Sequence, residues 1–82
     1  KRRGLSRNAA VALGNSANPG AVEPLVCALT GHDEPLVRSH AAWALGQIGG
    51  AEAVRGLERA LAYEAVAPVS DEIGRVLAAG GH

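Results

Sequence analysis

Four of the eight basic side chains in this 82-residue chain, Lys1, Arg2, Arg3 and Arg7, lie within its first seven residues. Arg presents a planar multi-donor head that suits phosphate, and phosphate contacts supply most sequence-independent affinity for nucleic acid. The segment can therefore act as a phosphate clamp, or equally as a solvated linker that keeps a junction soluble. Residues 8–82 hold four Arg against eight acids, a balance of minus four, so the basic character is concentrated at one end.

A second group emerges on a helical wheel. Leu36, His40, Trp43 and Gln47 share one sector away from the apolar stripe that contains Val37, and a shift of 32 residues carries this sector onto Gly4, Asn8, Val11 and Asn15. Asn8, Asn15, His40 and Gln47 are hydrogen-bonding side chains, and the indole of Trp43 can stack on a base or sugar. Together they can form a readout surface for a single-stranded loop. A packing alternative stands beside this one: Trp43 can fill a seam between helices, and Asn8 and Asn15 can satisfy turn backbones.

The remaining reactive residue types stand alone. His40 has an imidazole suited to acid–base work, but no nucleophile with an orienting carboxylate accompanies it, so no catalytic site is expected. Asp71-Glu72 read as carboxylates near the start of the last helix, where they complement the positive helix end. Arg38, five residues beyond Asp33, reads as a structural contact between neighbouring loops. Cys27, the sole cysteine, can neither form an internal disulfide nor ligate an iron–sulfur cluster, has no partner at zinc spacing, and reads as a small buried side chain.

These residues must be positioned by helices. Phe and Met are absent, there is one Trp and one Tyr, and the 17 alanines outnumber every other residue type. Alanine is the strongest helix former and lets helix axes approach closely, so the chain is expected to be all-α. The lack of Met predicts a piece of a longer chain. No run approaches the roughly 18 apolar residues of a membrane span, and the charged head does not lead into the apolar stretch of a secretory signal.

Compared with itself, the sequence repeats with a period of 32. Ala9-Ala10-Val11-Ala12-Leu13-Gly14 falls on Ala41-Ala42-Trp43-Ala44-Leu45-Gly46 with five identities in six. Ala21, Val22, Leu25, Ala28 and Leu29 recur as Ala53, Val54, Leu57, Ala60 and Leu61 at the same offset, and Leu13, Leu45 and Leu77 are in phase. Apolar positions Val37, Ala41, Ala44, Leu45 and Ile48 follow the helical rhythm, as do Val22, Leu25, Val26 and Leu29. Asp33 can cap the helix whose first turn holds Pro35, Gly49-Gly50 ends it, and Asn18-Pro19-Gly20 separates the first pair. Helices are expected at about 4–16, 21–30, 34–48, 51–63 and 67–79. They form a single domain over 1–82 with repeats at about 4–31, 34–63 and 67–80: two helical hairpins and one extra helix. One pair cannot bury both its faces, so neighbours must stack.

The pattern Val37-Arg38-x-x-Ala41-Ala42-x-Ala44-Leu45-Gly46-x-Ile48-Gly49 resembles the short HEAT repeat of the phycobilin-lyase type, over essentially the whole chain. The string Leu5-Ser6-Arg7-Asn8-Ala9-Ala10-Val11-Ala12-Leu13-Gly14-Asn15, followed by His40-Ala41-Ala42-Trp43-Ala44, resembles the C-terminal HEAT region of epoxyqueuosine reductase. The first resemblance implies a HEAT-like α-solenoid, an alpha-alpha superhelix of about two and a half repeats.

The second implies a cytoplasmic oxidoreductase that reduces epoxyqueuosine to queuosine at the wobble base of certain tRNAs. In such a parent, an N-terminal catalytic domain would hold cobalamin and two 4Fe-4S clusters, and this tail would grip the tRNA anticodon stem-loop without catalysing anything. Lys1, Arg2, Arg3, Arg7, Asn8, Asn15, His40 and Trp43 are then the expected RNA contacts. Two departures bear on this. No Cys-x2-Cys-x2-Cys cluster is present, and the third repeat has Ser70 where the Val-Arg pair would place arginine. Two other classes stay open: a HEAT scaffold binding a protein through residues such as Arg55 and Glu58 on the second helices, and a chromophore lyase, disfavoured by the lack of a catalytic constellation.

Overall fold

The computed structural model describes residues 6–80. It contains five α-helices, α1 Arg7–Ser16, α2 Val22–Gly31, α3 Pro35–Ile48, α4 Ala51–Tyr63 and α5 Ala67–Gly80, with a single 3₁₀ turn at Pro19–Ala21 before α2. No strand occurs among the described residues. The helices lie where the hydrophobic rhythm places them, and their ends show why. The Ser6 hydroxyl accepts the Ala9 N–H at 3.1 Å, a side-chain N-cap that starts α1 at Arg7. Asn18 Oδ1 accepts the Gly20 N–H at 2.9 Å and turns the chain into the 3₁₀ segment.

Between α2 and α3 the cap differs from the expectation at Asp33. Glu34 is the N-cap residue and makes no side-chain cap hydrogen bond; its backbone is extended (φ −95°, ψ 120°), as a residue preceding proline prefers. Asp33 Oδ1 lies 3.4 Å from His32 Nδ1. After α3 the backbone turns through Gly49 (φ 76°) and Gly50 (φ 95°), a left-handed pair that L side chains rarely adopt.

The first helices of successive hairpins, α1, α3 and α5, pack side by side as one layer, while α2 and α4 pack on each other and on that layer. Leu25, Leu29, Leu45, Leu57, Val69 and Ile73 are the largest fully buried side chains. Each contributes on the order of 1.5–3 kcal/mol by leaving water. Alanines at 10, 41, 42, 44 and 53 fill the space between them with no exposed surface.

The close approach within the first layer needs glycine. A Cβ on Gly14 would lie 2.5 Å from Trp43 Cζ3 and 2.9 Å from Ala44 Cα, and one on Gly46 would lie 2.5 Å from Val76 Cγ1. Gly46 is Gly14 shifted by 32, and Val76 is Ala44 shifted by 32. The α1–α3 contact is therefore repeated by α3–α5 with the period read in the sequence.

Arg38 ties the two hairpin ends together, as its position suggested. Its Nε donates to Glu64 Oε1 at 2.9 Å, Nη2 to Glu64 Oε2 at 3.0 Å, and Nη1 to the His32 carbonyl at 2.7 Å. The loop before α3 is thereby joined to the loop after α4. Glu64 also accepts the Val66 N–H at 3.1 Å. The hydrogen bonds from Arg38 hold the Glu64 carboxyl below its ordinary value of 4.5; burial opposes them, and the Val66 N–H and the Arg38 charge reinforce them.

Cys27 corrects an expectation. It is exposed, because α2 buries the stripe Val22, Leu25, Ala28 and Leu29, and residue 27 lies off that stripe.

Candidate nucleic-acid interface

Packing α3 between α1 and α5 leaves a face of the first layer open to solvent. Val11 from α1, Ser39, His40 and Trp43 from α3, and Glu72 from α5 line a shallow cleft of about 350 Å³ on this face. Asn8 and Asn15 flank Val11 on α1. Both are exposed and lie within α1, not in a turn. Arg7 is exposed and forms no ion pair among the described residues. Lys1, Arg2 and Arg3 lie outside the described residues, so the structure places only Arg7 of the basic cluster.

Trp43 packs in the seam and also borders the cleft. Its Cζ3 edge sits where a Gly14 side chain would be, so it fills the α1–α3 seam. The side chain stays only partly buried and forms a wall of the cleft. A ring held by its neighbours is a better stacking platform than a mobile one, because less freedom is lost when a base is bound.

His40 Nδ1 lies 2.8 Å from the Leu36 carbonyl oxygen. A carbonyl can only accept, so Nδ1 carries the proton and Nε2 of the neutral ring is an acceptor.

Glu72 was not anticipated as part of this surface. Its place beside Asp71 suggests an acid at a helix start, but α5 begins at Ala67 and has no acid in its first turn. The Glu72 side chain is 19% exposed and pairs with Arg75 one turn on. The signal was available in the sequence: Asn8, His40 and Glu72 are one repeat position seen three times at an offset of 32, and Val11, Trp43 and Arg75 are another. Ser39 was also missed, since it lies one position off the polar sector.

A second cleft, of about 400 Å³, is bordered by Arg38, Glu64, Arg59 and Tyr63. Its most buried charges, Arg38 and Glu64, are already bonded to each other. Among the described residues no group of three or more His, Cys, Asp or Glu side chains could hold a metal ion. No helix among them is long and apolar enough to cross a membrane.

A model of HEAT repeats matches residues 3–78, which takes in α1 to α4 and all but the last two residues of α5. The chain belongs to the HEAT-repeat family. It is 34% identical over 76 residues to the epoxyqueuosine reductases of Bacillus cereus and Bacillus anthracis, and 35% identical over 72 residues to that of Listeria monocytogenes. These alignments take in 93% and 88% of this chain but 20% and 19% of those proteins. The protein is thus a HEAT-repeat domain related to part of epoxyqueuosine reductase, and it spans about a fifth of the length of the curated relatives it matches. No solved structure matches it significantly.

Proposed function

We propose that this HEAT domain is the tRNA-gripping part of an epoxyqueuosine reductase, holding the anticodon stem-loop while epoxyqueuosine is reduced to queuosine by a catalytic domain outside these residues. The observation that carries the reading is identity of 34% spread over 93% of the chain. The open face of α1, α3 and α5 supports it, because a held indole stands among the hydrogen-bonding side chains of Ser39, His40 and Glu72, with the exposed Asn8 and Asn15 beside them. Under this reading the domain does no chemistry. Its contribution is orientation, which removes translational and rotational freedom from the substrate before the reaction.

Cobalamin and 4Fe-4S clusters would belong to the catalytic domain. One cysteine cannot ligate a cluster, and no step is assigned to these residues through either group. Such a parent would work in the cytoplasm, where its tRNA is.

The test is binding of a labelled tRNA anticodon stem-loop at several salt concentrations. Affinity should fall steeply with salt, and Arg2→Ala with Arg3→Ala should flatten the slope by about one unit per lost phosphate contact. The balance of minus four over residues 8–82 favours a second reading, a protein scaffold with a basic partner. In that case the arginine pair is dispensable, while Arg55→Ala and Glu58→Ala on α4 weaken partner binding.

A further inference from the structure

We infer that the cleft between α1, α3 and α5 selects a guanine base, with Glu72 as the residue that determines the choice; this rests on the RNA-binding reading above. The polar groups at the cleft are biased toward acceptors. The Glu72 carboxylate accepts only, and His40, with an Nδ1 proton on the Leu36 carbonyl, offers Nε2 as an acceptor in its neutral form. Ser39 supplies a hydroxyl that can serve either way.

A base that suits such a lining has adjacent N–H donors on one edge. Guanine has them at N1 and N2, and they match the two oxygens of a carboxylate. Adenine offers one amino donor beside a ring acceptor, and that acceptor would face the carboxylate's lone pairs. Uracil has one donor between two carbonyls. The Trp43 wall stacks any base and so cannot discriminate. Discrimination must come from the edge, and among the described residues the carboxylate is the only charged acceptor lining the cleft.

The Arg75 pairing favours a neutral base over the guanidinium of a protein ligand. Arg75 Nη2 donates to Glu72 Oε1 and compensates the carboxylate charge, while Oε2 has no partner among the described residues. A second cation would have to share the carboxylate with Arg75, whereas a neutral N–H donor needs only the free lone pairs. Arg75 itself is 65% exposed and occupies the repeat position of Trp43, which leaves its remaining donors available to a neighbouring phosphate.

Trp43 is the sole tryptophan, so its emission reports occupancy in the unaltered chain. The experiment titrates the protein with short single-stranded RNAs that differ at one central base, and with an arginine-rich peptide. The guanine RNA should quench Trp43 at a concentration about tenfold lower than the adenine or uracil RNA, the size expected of one good bidentate contact. Inosine lacks the N2 amino group, and replacing the guanine with it should remove most of that advantage without altering the protein. Glu72→Gln should bring the guanine-to-adenine ratio close to one, since the amide loses one acceptor for the guanine edge and gains a donor for adenine's ring nitrogen.

Equal quenching by all four bases, with no effect of inosine or of Glu72→Gln, overturns the guanine assignment but leaves salt-dependent stem-loop binding standing. Loss of all RNA binding overturns both. Tighter quenching by the arginine peptide than by any RNA overturns the assignment in favour of a guanidinium site.

Discussion

Replacing Arg38 by Met keeps most of the aliphatic stem and deletes the guanidinium. Glu64, whose side chain is 5% exposed, would keep only the Val66 N–H, and the His32 carbonyl would lose its donor. Removing one partner of a buried ion pair costs about 3–5 kcal/mol, because a desolvated charge is left uncompensated. The pair borders an open cleft that water can enter, so the lower end of about 3 kcal/mol applies. In a domain of this size each kcal/mol moves Tm by about 4–8 °C, which predicts a fall of about 12–24 °C in a circular-dichroism melt near neutral pH.

The sign of the pH dependence follows from the lowered Glu64 pKa. Its contribution is complete above the unfolded value of 4.5 and is lost as the pH falls through the lower folded value. The gap between wild type and Arg38→Met should therefore narrow below that value, as Glu64 is protonated. The double variant Arg38→Met, Glu64→Leu should recover much of the loss, since an apolar pair leaves no stranded charge. A Tm change under about 4 °C, or a gap of the same size in acid and at neutral pH, would refute the assignment of the loop tie to this ion pair.

Other positions carry sharper steric expectations. Gly14→Ala places a methyl 2.5 Å from Trp43 Cζ3 and 2.9 Å from the Ala44 backbone. It should cost about 1–3 kcal/mol and shift Trp43 emission to the red as the ring is pushed from the seam. Gly49→Ala imposes a side chain at φ 76° and ψ −168°; the cost is about 1–3 kcal/mol in urea melts, although no atom stands within 4 Å of the added methyl. Leu45→Ala empties a side chain with no exposed surface and should cost about 2–5 kcal/mol by the same measurement.

The helices and their order were readable because the information is local and repeated. Val37, Ala41, Ala44 and Leu45 carry their period openly, and Gly49-Gly50 announces the only chain reversal built on two consecutive positive φ values among the described residues. What escaped was relational. Cys27 looked like a core residue by type, but burial is decided by its angle on α2 and not by its chemistry. Asp33 looked like a cap by type, but Pro35 fixes the preceding residue, Glu34, in the extended state that ends the coil.

Half of the candidate surface was legible for the same reason. Asn8, His40 and Trp43 stand out because adjacent repeats present them in register. Glu72 was hidden by its neighbour Asp71, which made the pair look like a helix-end feature. Only the packing of α5 against α3 shows that it completes the line begun by Asn8 and His40.

The most direct test of the account is a map of where RNA touches the domain. Amide and indole N–H resonances of the isotopically labelled chain would be followed as a tRNA anticodon stem-loop is added. The account predicts shifts concentrated on Arg7, Asn8, Asn15, His40, the Trp43 indole and Glu72, with α2 and the outer face of α4 unmoved. Shifts centred on Arg55, Glu58 and their neighbours, or none at RNA concentrations that saturate an intact epoxyqueuosine reductase, would contradict it.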